Sequence, residues 1–125
     1  MPFDKNAAAN YADIQAQRHS TGNCARYVRR AIEHGGVTLT TTHSAKDYGP
    51  ILESSGFSEV SDVVALQRGD VVVIQPAPGH PHGHMAMFDG HSWVSDFRQR
   101  GGTDGFYPGP AYRTARPAFQ IYRHE

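Results

Sequence analysis

The sequence contains a single cysteine, Cys24, at the point where a turn gives way to an amphipathic helix. Residues 20–23 are of types that cap helices, and apolar residues then recur at helical spacing as far as Ile32, before Gly35 and Gly36 end the helix. The unpaired N–H groups and the dipole at a helix start favour thiolate over thiol. The pattern therefore predicts a nucleophilic cysteine with a lowered pKa. The alternative is a small apolar core residue.

A thiol nucleophile works with a histidine base and with a third group that orients the imidazole. His84 is the candidate base, because it begins a predicted strand that follows a loop rich in glycine and proline. Asp96 is the candidate orienting group, on the partner strand of a predicted hairpin. A three-residue hairpin loop would place Asp96 opposite His84. A loop of two or four residues would instead place Ser95 or Phe97 there.

Two predicted helices precede the strands, and the second of them carries Cys24. Helical spacing predicts the first helix from Asp4 to about Gln17. A third, shorter helix is predicted over 45–54, with a capping box before it and a distortion at Pro50. The β-branched segment 38–42 favours an extended conformation.

The strands follow in the second half of the chain. Alternation and β-branched runs predict strands at 71–74, 84–88, 93–97 and 118–122, with 57–64 as a loop or connecting strand. The segment 98–117 is rich in glycine and proline and is a candidate cleft wall. His84 shares a sheet face with Ala86 and Phe88, and we expect the Cys24 helix to pack on that face. The pattern predicts an α+β fold with N-terminal helices packed on an antiparallel β-sheet.

Composition excludes several classes of function. The 125 residues predict one catalytic domain, 1–125, and the 12 basic and 12 acidic residues balance. We therefore expect no nucleic-acid partner. The longest apolar run, residues 71–74, is far too short to cross a bilayer, so we expect no membrane insertion either. The start of the chain lacks the charged and apolar regions of a signal peptide, which predicts a protein made in the cytoplasm. We expect no cofactor.

Three segments together resemble the papain-like cell-wall amidases and peptidases of the CHAP and NlpC kind. They are 22–28 around the cysteine, 68–73 with its Gly-Asp turn, and 83–90 around the histidine. The order of these three segments along the chain also matches the order in that family. The resemblance implies that Cys24 is the nucleophile, His84 the base and Asp96 the orienting group, with no metal. Asp96 departs from the asparagine or histidine common in relatives.

The chain also resembles type VI secretion amidase effectors, because it is small and lacks both a signal peptide and a wall-binding module. This resemblance implies an antibacterial toxin, delivered by the type VI secretion machinery to the periplasm of a target bacterium, and a cognate immunity protein. The substrate would be a peptidoglycan peptide. Relatives cut it either between D-glutamate and diaminopimelate or at the crosslink from diaminopimelate to D-alanine. A phage-type endolysin domain and a non-catalytic module are the alternatives.

The histidines around residue 82 raise a second chemical possibility. His80, His82 and His84 alternate, and with Cys24 they would offer zinc ligands if the segment were extended. Pro81 and Gly83 argue against a regular strand there. His82 is also a reserve candidate for the base.

Three residues are expected to contact substrate. They are Asn23, His82 and Tyr48, the last from loop-like surroundings near the cleft. Tyr107 and Tyr112 also lie in such surroundings.

Overall fold

An antiparallel sheet of five strands forms the centre of the computed structural model, which describes residues 3–61, 65–102 and 105–125. The strands are β1 (Phe57–Val60), β2 (Val71–Ile74), β3 (His84–Phe88), β4 (Trp93–Val94) and β5 (Phe119–His124). Their order across the sheet is β1-β5-β2-β3-β4, and all pairs are antiparallel. The predicted central strand is confirmed: β2 lies in the middle and is buried throughout.

Four helices accompany the sheet in the described part of the chain. They are α1 (Lys5–Gln15), α2 (Cys24–His34), α3 (Tyr48–Ser54) and α4 (Pro110–Ala115), with a 3-10 turn at Ala45–Asp47. The predicted α+β fold with N-terminal helices on an antiparallel sheet is confirmed. No helix among the described residues is long and apolar enough to cross a membrane.

The sheet is covered on both faces because its side chains alternate between two apolar clusters. Helices α1, α2 and α3 pack on one face, and the segment that carries Tyr107 and Tyr112 packs on the other. The first face presents Val71, Val73, Met85 and Met87; the second presents Val72, Ile74, Ala86 and Phe88. Our expectation that the Cys24 helix packs on the face of Ala86 and Phe88 is therefore wrong.

The first half of the chain differs from its prediction in two places. Ser44 makes no helix cap, because its hydroxyl lies 2.7 Å from Nδ1 of His82. Pro50 does not distort α3, because it is the third residue of that helix. The N–H that proline lacks would have no helical partner in the first turn.

The β3–β4 hairpin decides which residue approaches His84. Phe88 pairs with Trp93, so the hairpin loop has four residues and the expected three-residue register is wrong. Oδ1 of Asp89 sets this length by accepting hydrogen bonds from the N–H groups of His91 and Ser92. Strand β4 then ends at Val94, short of the predicted 93–97.

Three of our predictions extend beyond the described residues. The predicted segment 57–64 contains β1, but residues 62–64 lie outside the described part of the chain. The same holds for residues 103–104 of the predicted cleft wall and for the first two residues of the chain.

Candidate active site

A cleft of about 800 Å³ brings Cys24 and His84 to one place. Its walls come from the start of α2, from residues 79–84, from 41–48 and from 108–112. Each wall is a loop or the end of a helix or strand. The residues that line the cleft therefore come mostly from connecting segments, which the sheet holds in place. The segment predicted as a cleft wall contributes residues 108–112.

Cys24 is the first residue of α2, as the sequence predicts. Asn23 precedes the helix, but its side chain makes no capping hydrogen bond. Instead, backbone N–H groups of Met85, Ala25 and Cys24 itself surround the sulfur. The N–H of Met85 is notable because Met85 directly follows His84, so the thiol lies against the start of β3.

Burial raises the pKa of the Cys24 thiol to about 11, and the nearby charge of Asp96 adds to this rise. The hydrogen bond from the N–H of Met85 and those from the helix start lower the pKa, but by less than burial raises it. Our expectation of a lowered thiol pKa is therefore wrong for the free protein. The physical reason is that removing the thiolate from water costs more free energy than the helix terminus contributes to its stabilisation.

His84 begins β3 and is buried. Its Nε2 lies 2.7 Å from Oε1 of Gln99, whose own amide nitrogen donates to the carbonyl oxygens of Gly105 and Phe106 at 2.8 and 2.9 Å. These two bonds fix which end of the amide faces the imidazole. Because an amide oxygen only accepts, Nε2 carries the ring proton and Nδ1 keeps its lone pair. Nδ1 is then the atom that can accept a proton.

Burial also lowers the pKa of His84 to about 4, although Gln99 and the charge of Asp96 raise it in part. The thiol and the imidazole are therefore both uncharged near neutral pH. The free protein holds a neutral pair in the cleft, not a thiolate with an imidazolium.

Gly83 shapes the approach to His84. Its φ of +72° lies in the left-handed region, and a side chain there would collide with the carbonyl oxygen of Ile74. Glycine therefore lets the loop turn into β3 directly beside the strand β2, which sets where the imidazole begins.

Gln99 is the hydrogen-bond partner of His84, and the sequence did not reveal it. The chain turns after β4, where the N–H of Ser95 donates to the carbonyl of Phe97 and the N–H of Gln99 to that of Trp93. This turn carries Gln99 to the imidazole. A lone glutamine in a segment without periodicity had no signal from which its role could be predicted.

Asp96 is fully buried, but its carboxylate faces the turn before α2. Oδ2 accepts hydrogen bonds from the N–H and hydroxyl of Thr21, at 2.5 and 2.8 Å, and from the N–H of Asn23 at 3.3 Å. Burial raises the pKa of Asp96, but these hydrogen bonds outweigh it, and the pKa stays below its ordinary value. Within the described residues, the hydrogen-bond partner of His84 is Gln99, and Asp96 acts on the imidazole only through its charge.

The three residues expected to contact substrate all line the cleft. Asn23 is exposed, and its side-chain nitrogen donates to Thr21. His82 is exposed and hydrogen-bonds to Ser44. Tyr48 does not lie in a loop as expected: it begins α3 and is buried, with its hydroxyl 3.5 Å from the N–H of Thr42.

Two further tyrosines from loop-like surroundings are buried on the other face of the sheet. Tyr112 lies in α4 and lines the cleft, with its ring centroid 5.9 Å from that of His84 and 5.0 Å from that of His80. Tyr112 thus covers the imidazole and contributes to its burial. Tyr107 packs in the apolar cluster of that face, outside the cleft lining.

The alternating histidines do not converge in the structure. His80 packs on Tyr112, His82 bonds to Ser44 and His84 bonds to Gln99. In the described part of the chain, no three histidine, cysteine, aspartate or glutamate side chains are grouped as a metal ion would need. The geometry does not favour the zinc alternative.

Fold and cleft together define an α+β protein in which a cysteine at a helix start and a histidine at a strand start share one cleft. No protein-family model matches the chain, and no curated protein sequence matches it. Crystal structures of a type VI effector–immunity complex are similar to it.

The first is the native type VI effector–immunity complex Tae3–Tai3 from Ralstonia pickettii. One of its chains is 55% identical, with a TM-score of 0.92, over 98% of this chain and 100% of that chain. The second is the selenomethionine form of the same complex, at 58% identity and a TM-score of 0.87, over 93% and 98% of the two chains. The chain belongs to the Tae3 family of type VI effectors, which confirms the effector resemblance drawn from the sequence.

Proposed function

We propose that this protein is a papain-like cysteine amidase or endopeptidase that cleaves peptide bonds in bacterial peptidoglycan. The observation that carries the proposal is the arrangement in the cleft, where Gln99 orients His84 beside the strand start that also contacts Cys24. Nucleophile, base and orienting group are the three parts that thiol hydrolysis requires. Membership of a type VI effector family supports the same function.

The neutral pair dictates how the reaction begins. Sγ of Cys24 attacks the carbonyl carbon of the substrate amide while the S–H proton passes to Nδ1 of His84. Proton transfer and bond formation go together, because a free thiolate is costly in this buried position. Backbone N–H groups at the start of α2 are suited to stabilise the negative charge that forms on the carbonyl oxygen.

The remaining steps return the enzyme to its resting state. The tetrahedral intermediate collapses as the carbon–nitrogen bond breaks, and the imidazolium of His84 gives its proton to the departing amine. A thioester on Cys24 remains. Water then attacks its carbonyl carbon, Nδ1 takes the proton of the water, and the carbon–sulfur bond breaks. The sulfur regains its proton from the imidazolium as the acid product leaves.

Asp96 has a different role in this proposal from the one the resemblance implied. It is a positioning residue that holds the turn of Thr21 and Asn23, and through this turn the start of α2. Gln99 takes the place of the orienting group. Asn23, His82 and Tyr48 remain proposed substrate contacts on the cleft wall.

The biological setting follows from the family. The similar crystal structures are effector–immunity complexes, which supports a cognate immunity protein for this chain. We infer that the type VI machinery delivers the protein and that it acts in the periplasm of a target bacterium. The same comparison favours an effector over a phage-type endolysin.

The test is digestion of purified peptidoglycan sacculi followed by mass analysis of the released muropeptides. Wild-type protein is expected to shorten or separate the stem peptides, and the new ends identify the bond that is cut. Cys24→Ala is expected to lose this activity while keeping the circular dichroism of the wild type, because it removes the attacking atom and little volume. His84→Ala is expected to lose the activity because it removes the base, and its circular dichroism is measured beside it. Activity that survives in Cys24→Ala, or that a chelator abolishes, would contradict the proposal.

A further inference from the structure

We infer that Arg26 binds a carboxylate of the substrate and thereby makes the cleft selective for anionic peptides. This inference rests on the proposed function, because it names the substrate chemistry of the same cleft.

The lining of the cleft has a one-sided charge. It contains Arg26, Arg29 and four histidines, and among the residues that the structure describes no aspartate or glutamate lines it. Histidine is neutral or cationic and never anionic. The whole protein is balanced, with 12 basic and 12 acidic residues, so this asymmetry belongs to the cleft and not to the composition. A low-dielectric cavity lined by one sign of charge attracts ligands of the other sign.

The two arginines differ in what they already bind. Nη1 of Arg29 lies 3.2 and 3.3 Å from the two carboxylate oxygens of Glu33, one helical turn further on. Arg26 is exposed and forms no hydrogen bond or ion pair with any residue that the structure describes. Its guanidinium is thus available to a ligand, and it lies two positions from Cys24 on the same helix.

Peptidoglycan stem peptides supply the matching group. D-glutamate and diaminopimelate leave a free carboxylate beside the bonds that a stem-peptide hydrolase cuts. Guanidinium and carboxylate match in shape as well as in charge, since two parallel N–H groups face two oxygens. A carboxylate paired with Arg26 would fix the register of the peptide relative to the sulfur.

Binding to two kinds of sacculi tests the inference. Native sacculi carry free carboxylates, and sacculi treated with carbodiimide and ammonia carry carboxamides in their place. Cys24→Ala protein, which binds without cutting, is expected to bind the amidated sacculi about tenfold more weakly, as for the loss of one charge-assisted hydrogen bond. With Arg26→Gln added, binding to native sacculi falls by about the same factor, and amidation has no further effect.

Arg30→Gln is the matched control, because Arg30 is an exposed arginine on the same helix but does not line the cleft. Both substitutions remove one positive charge. Arg30→Gln is expected to keep the preference for native sacculi, and in the active enzyme only Arg26→Gln is expected to raise KM. An equal effect of the two substitutions, equal binding to both kinds of sacculi, or no binding at all would overturn the inference.

Different experimental results would contradict the inference and the proposed function. Cleavage of native and amidated sacculi with equal KM would overturn the role of Arg26 and leave the hydrolase intact. Selective binding through Arg26 without cleavage by the wild type would overturn the hydrolase and leave the carboxylate site intact.

Discussion

The imidazole of His84 donates a hydrogen bond from Nε2 to Oε1 of Gln99 over 2.7 Å, although the two residues are 15 positions apart in the chain. The bond fixes the tautomer without adding a charge, because the amide of Gln99 is neutral. A carboxylate in this place would instead stabilise the imidazolium. The cleft therefore holds the imidazole in its neutral form near neutral pH, which is the form that the proposed mechanism needs in a base.

Gln99→Ala is expected to lower kcat on the order of 10²-fold, because the imidazole loses the acceptor that fixes its tautomer and orientation. The substitution also leaves the carbonyl oxygens of Gly105 and Phe106 without the donor that they now have. Thermal unfolding of the variant must therefore be measured beside its kinetics. Gln99→Asn is the conservative comparison, and an unchanged kcat in a folded Gln99→Ala protein would contradict the role of Gln99.

Asp96→Asn is expected to lower kcat severalfold and to leave a folded protein. The amide keeps one acceptor oxygen for Thr21, but it loses the charge that strengthens the hydrogen bonds to the turn before Cys24. Because the charge of Asp96 also raises the pKa of His84, the variant should show a lower imidazole pKa by nuclear magnetic resonance.

Ser95→Ala is the control for Asp96→Asn, because it removes the 3.1 Å bond from the Ser95 hydroxyl to the other carboxylate oxygen and keeps the charge of Asp96. It also removes the longer bonds of that hydroxyl to the backbone of Phe97, at 3.3 and 3.5 Å. A purely structural role of Asp96 would lower stability and leave the imidazole pKa in place. Such a result would contradict the electrostatic effect of Asp96 on His84, whereas an unchanged kcat in folded Asp96→Asn would contradict the assignment of Asp96 as a positioning residue.

The thiolate of Cys24 is expected to appear only at strongly alkaline pH, since burial raises the pKa of the thiol to about 11. Ultraviolet absorbance of the thiolate measures this directly. Cys24 is the only cysteine, so the difference between wild type and Cys24→Ala cancels the tyrosine signal. A thiolate signal near neutral pH would indicate a preformed ion pair with His84 and would contradict the neutral pair.

Stability is expected to fall as the pH falls below neutrality, because of His84. In the unfolded chain the imidazole has its ordinary pKa of 6.5, whereas burial lowers the pKa to about 4 in the folded protein. Between these two values the unfolded chain binds the proton more readily, so acid favours unfolding. The free energy of unfolding should decrease by at most about 1.4 kcal/mol per pH unit over this window.

Urea denaturation at a series of pH values measures that decrease. His84→Gln removes the titrating group and leaves the other histidines and carboxylates in place, so the difference between the two proteins isolates His84. Parallel curves for wild type and variant would show that the buried imidazole does not control this pH dependence.

The local sequence pattern was sufficient to predict a helix or strand where apolar residues recur with a strong period or where a loop marks a clear boundary. Helical spacing predicted α2 with Cys24 as its first residue, and the β-branched run predicted β2 as the central strand. The loop of prolines and glycines before His84 predicted where β3 begins. These features depend on residues within a few positions of one another, so they can be inferred from sequence alone.

The partners of the imidazole and the state of the thiol were decided by the tertiary structure. The hydrogen bonds of Asp89 lengthen the hairpin loop, which turns Asp96 toward Thr21 and brings Gln99 to His84. Packing also buries the thiol and the imidazole, and loss of water then moves both pKa values toward the uncharged forms. A helix start by itself predicts the opposite shift for the cysteine. The sequence by itself determined which residues are candidates for the chemistry, and the tertiary structure decided how they are paired and charged, because register and burial depend on contacts between distant parts of the chain.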